Sequence, residues 1–208
     1  MAVDKVYARA RTQGYRVAYL EDPGAHALGF ARHLNAEAIR TWPDRDAPRI
    51  FDEATRVLQS AAGAEEVDAR VLRDLALILH NAAQLRTFEA MTYLDELPQA
   101  LDNAREAAAL QSELVGLARE SPLPQAQAQV PDLVEGLLVM LLTLARVLAA
   151  CGVLDESQDA LAEASALTDE FEQDADWLKW LRLVRRELAP VGDVSGERPE
   201  RKLWLWLA

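Results

Sequence analysis

The chain has 208 residues; half are hydrophobic, 27% are charged, and acidic side chains outnumber basic ones 34 to 22, for a net charge of −12. So apolar a composition excludes an intrinsically disordered chain, and so acidic a one argues against a protein that coats nucleic acid, which needs clustered Lys and Arg. The single cysteine, Cys151, leaves no internal disulfide to staple the fold, and a reducing, cytoplasmic setting is the expectation.

The N-terminal residues lack the unbroken apolar run of a signal peptide. From there the periodicity is helical almost throughout. The expected fold class is all-α, a single domain of about seven to eight helices stacked as antiparallel hairpins. A first helix is expected over 4–12, ended by Gly14. Tyr15–Leu20 follows with strand-like composition. Asp22-Pro23-Gly24 signals a turn before a helix over 25–41, whose stripe is Leu28, Ala31, Leu34, Ala38 and Trp42. Asp46 is placed to cap a third helix that ends near Ala62.

A long helix is expected over 65–89, with Val71, Leu75, Ile78, Leu79, Ala82 and Leu85 on its apolar face. The next, over 95–120, turns Leu97, Leu101, Ala104, Ala108, Leu114 and Leu117 inward. Residues 121–131 read as a linker, holding three prolines and alternating Gln and Ala. Helices over 132–151, 155–171 and 175–188 complete the pattern. The most apolar stretch, Leu137–Ala150, contains Arg146 and falls short of the ~20 residues of a membrane span, so a buried core helix is expected and no membrane contact. Gly152 stands where a helix C-terminus calls for positive φ. The tail 189–208 ends in Leu203-Trp-Leu-Trp-Leu207, an aggregation hazard if exposed. Its strand propensity suggests pairing with Tyr15–Leu20, bringing the termini together.

Charge is uneven along the chain. Residues 1–60 carry +1, residues 61–176 carry −16, and residues 177–208 carry +3. An acidic middle steers a basic partner toward itself; a solvated helical surface explains it equally.

Three segments align without gaps: Phe51-Asp-Glu through Ala61, Leu94-Asp-Glu through Ala104, and Leu154-Asp-Glu through Ala164. Each has an apolar residue, Asp-Glu, then a small or branched apolar residue, Leu and Ala at fixed offsets. Each is expected to begin a helix, its acidic pair at the positive end of the dipole. The small Ala leaves room for a neighbouring helix to come close. With the helices preceding them, the segments define repeat-like pairs over 25–63, 65–120 and 132–171, closed by a capping helix over 175–188.

The order of large, small and glycine positions in Leu141, Leu144, Ala145, Leu148, Gly152, Leu154, Ser157, Leu161 and Ala164 resembles one tetratricopeptide repeat. The two earlier units are looser, with longer inter-helix loops, and Asp169 stands where the family's proline is usual. The resemblance implies a scaffold or adaptor that presents its inner helices to a peptide or helix of another protein. Its polar positions on the first helix of each pair are His33, Arg40, Arg73, His80, Asn81 and Arg146. Asn81 is the most telling, because an inward amide can clamp a partner's backbone through donor and acceptor together, or else bridge neighbouring helices.

No phosphate loop, Gly-x-Ser-x-Gly elbow or zinc-type Cys/His spacing is present, so neither enzyme activity nor a cofactor or metal is implied. Cys151 falls at a helix C-terminus, which raises a thiol pKa. His26, His33, Glu37 and Asp22 read as an ordinary polar helix face. The alternative is a small-ligand or catalytic pocket around His33, Glu37 and His80. A further alternative is a structural homodimer through Trp177, Trp180, Trp204 and Trp206, because Trp and Arg dominate interface hot spots. A capping helix that closes the core with these aromatics is the competing explanation.

Overall fold

The computed structural model describes residues 2–42, 46–63, 68–89, 94–170 and 175–188, and every regular element among them is helical. The fold is all-α, as the periodicity predicts. The chain divides into two compact units, one of Met1–Ala82 and the other beginning at Ala83, with the boundary inside a continuous helix.

In the first unit, α1 spans Ala2–Glu21 without a break. The strand expected over Tyr15–Leu20 is therefore helix, and Gly14 does not stop it. Tyr15 and Tyr19 lie four residues apart, on one helical face. Tyr15 stacks on His33 at 4.6 Å between ring centroids, and Tyr19 meets Phe30 at 5.5 Å. This docking overrides β-propensity, and a glycine in a helix costs only about 1 kcal/mol. The expected strand partner, residues 202–208, lies outside the described residues.

α2 spans Pro23–Thr41 and opens on a cap: the Asp22 carboxylate accepts from the Ala25 N–H at 3.1 Å, with Pro23 in the first turn. Its buried stripe is Ala27, Phe30, Ala31, Leu34 and Ala38. It packs against α3, Ala47–Ala62, whose inward residues are Phe51, Ala54, Val57 and Leu58. Asp46 makes no side-chain capping bond, because its backbone is already helical at φ −82°, ψ −16°.

α4 runs from Ala69 to Glu89. Every residue from Asp74 to Arg86 is buried except the half-buried Leu77. Its expected apolar face is buried in full. In the first unit Arg32 and Asn35 of α2 bond Asp74 and Asn81 of α4, so the order of contacts follows the chain direction in both helices. The two bonds thus keep the same chain order on both helices.

The second unit begins with the end of α4. A 3-10 turn, Leu94–Glu96, leads into α5, Leu97–Glu120. Ala83 of α4 clusters with Ala100 and Ala104 of α5, and small side chains there permit close approach. Part of the expected linker is the short helix α6, Pro124–Gln127. α7, Val130–Ala150, packs against α5, against α8 (Leu154–Glu170) and against α9 (Ala175–Leu188). Flanked by several helices, α7 is apolar nearly all round. Each of its fully buried leucines contributes about 1.5–3 kcal/mol. Leu117, expected inward on α5, is instead exposed. The stretch Pro124–Ala150 is long and apolar enough to cross a bilayer by length and composition, and 67% of its most apolar window is buried in this fold.

The turn from α7 to α8 follows the Schellman pattern. Gly152 has φ +79°, its N–H donates to Ala149 O, and the Val153 N–H donates to Leu148 O.

Candidate functional site

The repeated segments agree in burial at some positions and not at others: at the first, Phe51 is buried and Leu154 exposed. At their fourth position Ala54 and Ser157 are buried and Leu97 half-buried; at the seventh, Val57, Ala100 and Ala160 are buried. The repeated glutamates each meet an arginine of an earlier helix: Glu53 pairs with Arg16 of α1, Glu96 with Arg86 of α4 at 3.4 Å, and Glu156 with Arg105 of α5 at 2.6 Å. Bonding between helices is therefore their common feature. The helix-start expectation fits Asp155 and Glu156, in the first turn of α8, but not Glu53, which lies beyond the first turn of α3. In the last unit the Ser157 hydroxyl donates to Ala145 O at 2.8 Å inside the α7–α8 contact.

The polar side chains singled out on α2 and α4 separate into two groups. Asn81 and His80 are 0% and 1% exposed. The Asn81 amide donates to Asn35 Oδ1 at 3.0 Å. Asn81 thus bridges neighbouring helices rather than offering its amide at a surface, the second of the two roles its chemistry allows. Beside it, Arg32 Nε donates to Asp74 Oδ2 at 2.6 Å, and Asp74 is almost fully buried. The sequence reading missed Arg32, Asn35 and Asp74. The signal for Asp74 was present: a carboxylate inside the apolar run Val71–Leu79 needs a partner if it is buried.

Arg73 and Arg40 are exposed and His33 half-buried, while Arg146 of α7 is half-buried in the second unit. Arg40 pairs with Glu37 on its own helix at 2.6 Å. His33 Nε2 shares a hydrogen bond of 2.8 Å with the Thr12 hydroxyl, and Arg11 lies over the Tyr15 ring at 6.0 Å. Burial lowers the His33 pKa, Arg11 lowers it further, and Glu37 acts in the opposite sense. Asp22 caps α2, so Asp22, His33 and Glu37 each have a structural partner. Among the described residues no group of three or more His, Cys, Asp or Glu is placed to hold a metal ion. The Cys151 thiol is pushed up by burial, with Arg105 partly opposing. That favours the thiol over the nucleophilic thiolate.

α9 is held to the second unit by buried Leu181 and Val184. Trp177 and Trp180 lie on this helix, but their side chains are outside the described residues, as are Trp204 and Trp206 altogether. The helix also exposes Lys179, Arg182, Arg185 and Arg186.

No protein-family model matches the chain, and no curated protein or solved structure is significantly similar to it.

Proposed function

We propose that this chain is a protein–protein interaction module, a TPR-like scaffold or adaptor that offers stacked helical hairpins to a peptide or helix of a partner protein. The observation that carries this reading is that α2 and α4 are joined in the same chain order by Arg32–Asp74 and Asn35–Asn81. Parallel first helices in successive hairpins are what stacked repeats require. The Gly152 turn and the Ser157 bond support the same reading for the last hairpin.

Of the residues singled out in the sequence, exposed Arg40 and Arg73 and half-buried His33 are within a partner's reach in the first unit; Asn81 and His80 act in the interior. The acidic charge over 61–176 favours a basic segment in the partner.

A photo-crosslinking residue at position 73 tests this in cells of the source. A discrete adduct with one protein, absent from a control position at exposed Gln158 and weakened by Arg40→Glu, is the expected result. Equal labelling from both positions would remove the reading.

A further inference from the structure

The basic face of α9 has no partner among the described residues. Lys179, Arg182 and Arg186 are exposed and make no ion pair there. At about 100° per residue, these three fall within a ~60° arc opposite the buried Leu181 and Val184. Arg185 flanks the ridge. Four cations on one short helix repel one another, and Lys179, Arg182 and Arg186 make no ion pair among the described residues.

The complement lies on the neighbouring helix. On α8, Asp155, Asp159 and Glu163 recur every fourth residue, are all exposed, and make no ion pair among the described residues. At 1.5 Å per residue the acidic ridge spans about 12 Å and the basic ridge about 10.5 Å. The two ridges are thus similar in length and opposite in charge. Both face solvent, so neither neutralises the other within one chain.

We propose that a second copy of this chain covers α9, its acidic α8 ridge seated on the basic ridge formed by Lys179, Arg182 and Arg186. A two-fold axis makes the pairing reciprocal: α8 of each copy meets α9 of the other, and both sets of charges are matched at once. The closed symmetry stops growth at a dimer. A free basic peptide satisfies only α8 and an acidic one only α9, whereas a second copy satisfies both. This inference goes beyond the partner-binding reading and does not depend on it.

Sedimentation velocity of the full chain tests the pairing, with circular dichroism to verify folding. The expected result is a dimer of the 23.0 kDa chain at about 50 mM salt whose dissociation constant rises roughly tenfold or more at about 500 mM, since exposed charges are screened. Arg182→Glu/Arg186→Glu should be a folded monomer, and so should Asp159→Arg/Glu163→Arg. An equimolar mixture of the two variants should dimerise again, because each supplies the charge the other lost. A monomeric wild type at low salt, a dimer that survives either reversal, or a mixture that stays monomeric would overturn the proposal.

Discussion

The Gln111 amide occupies the space above Gly136. A β-carbon on Gly136 would sit 2.6 Å from Gln111 Nε2 and 3.2 Å from its Cδ, while that nitrogen donates to Leu133 O at 2.7 Å. The glycine is thus what lets a buried side chain of α5 bond the backbone of α7. Gly136→Ala must displace the amide and leave it buried without its acceptor, at about 1–3 kcal/mol. The better helix propensity of Ala returns about 1 kcal/mol. A net loss of up to about 2 kcal/mol is expected in urea unfolding. In Gln111→Ala/Gly136→Ala the clash has no partner, so the double variant should lose less than the two singles combined. Strict additivity would mean that the two residues are independent.

Two ion pairs of similar length should differ in worth. Arg105–Glu156 has both side chains about half exposed, at 48% and 54%, whereas Asp74 in Arg32–Asp74 is 1% exposed. Arg105→Met should cost under about 1 kcal/mol. Arg32→Met strands a buried carboxylate; with Arg32 itself partly in water, a loss of about 2–3 kcal/mol is expected. Denaturant midpoints of the two variants make the comparison, and equal losses would show that Asp74 is not sealed from solvent.

His33 makes the docking of α1 on α2 sensitive to acid. Its folded pKa lies below the unfolded value of about 6.5, so the unfolded chain binds the extra proton first. Stability from the neutral ring is fully present above the unfolded pKa and is lost as pH falls through the folded one. Tyr15, Arg11, Thr12 and Glu37 face the ring. The melting temperature should fall between pH 7.5 and pH 5, and His33→Gln should reduce that fall. An identical fall in the variant would assign the acid sensitivity to other groups.

The Asn35–Asn81 bond joins side chains 46 residues apart in sequence. Asn35→Ala or Asn81→Ala leaves a polar group buried beside an alanine, at about 1–3 kcal/mol each. Asn35→Leu/Asn81→Leu removes both polar groups and should recover part of the loss. Thermal unfolding of the three variants decides. A double variant no more stable than the combined singles imply would show that the two amides act separately.

Much of the architecture was legible because helix periodicity is a local property. The spans of α2, α3 and α9, the apolar face of α4 and the positive-φ turn at Gly152 follow from spacing and backbone sterics along a few residues. Tyr15–Leu20 was misread because its local preference is overruled by contacts with His33 and Phe30, which lie beyond the turn at Asp22.

The candidate site was less legible than the fold. The residue types stood out, but the sequence left Asn81 open between a surface clamp and a bridge to a neighbouring helix and offered His80 to a partner or a pocket, and the structure buries both. Helical spacing says which residues share a face and leaves open whether that face meets water or another helix. On α4 nearly every residue from Asp74 to Arg86 is buried, and only the tertiary structure shows it.

The sequence by itself determined that this protein is helical, hairpin-built and acidic in its middle, because those properties reside in periodicity, turns and charge. The tertiary structure decided which polar groups are spent inside, Asp74 on Arg32, Asn81 on Asn35 and Gln111 on Leu133 O, and which charged ridges remain outside on α8 and α9. Partners far apart in sequence are brought together only when the helices pack, and burial then makes each bond between them costly to lose.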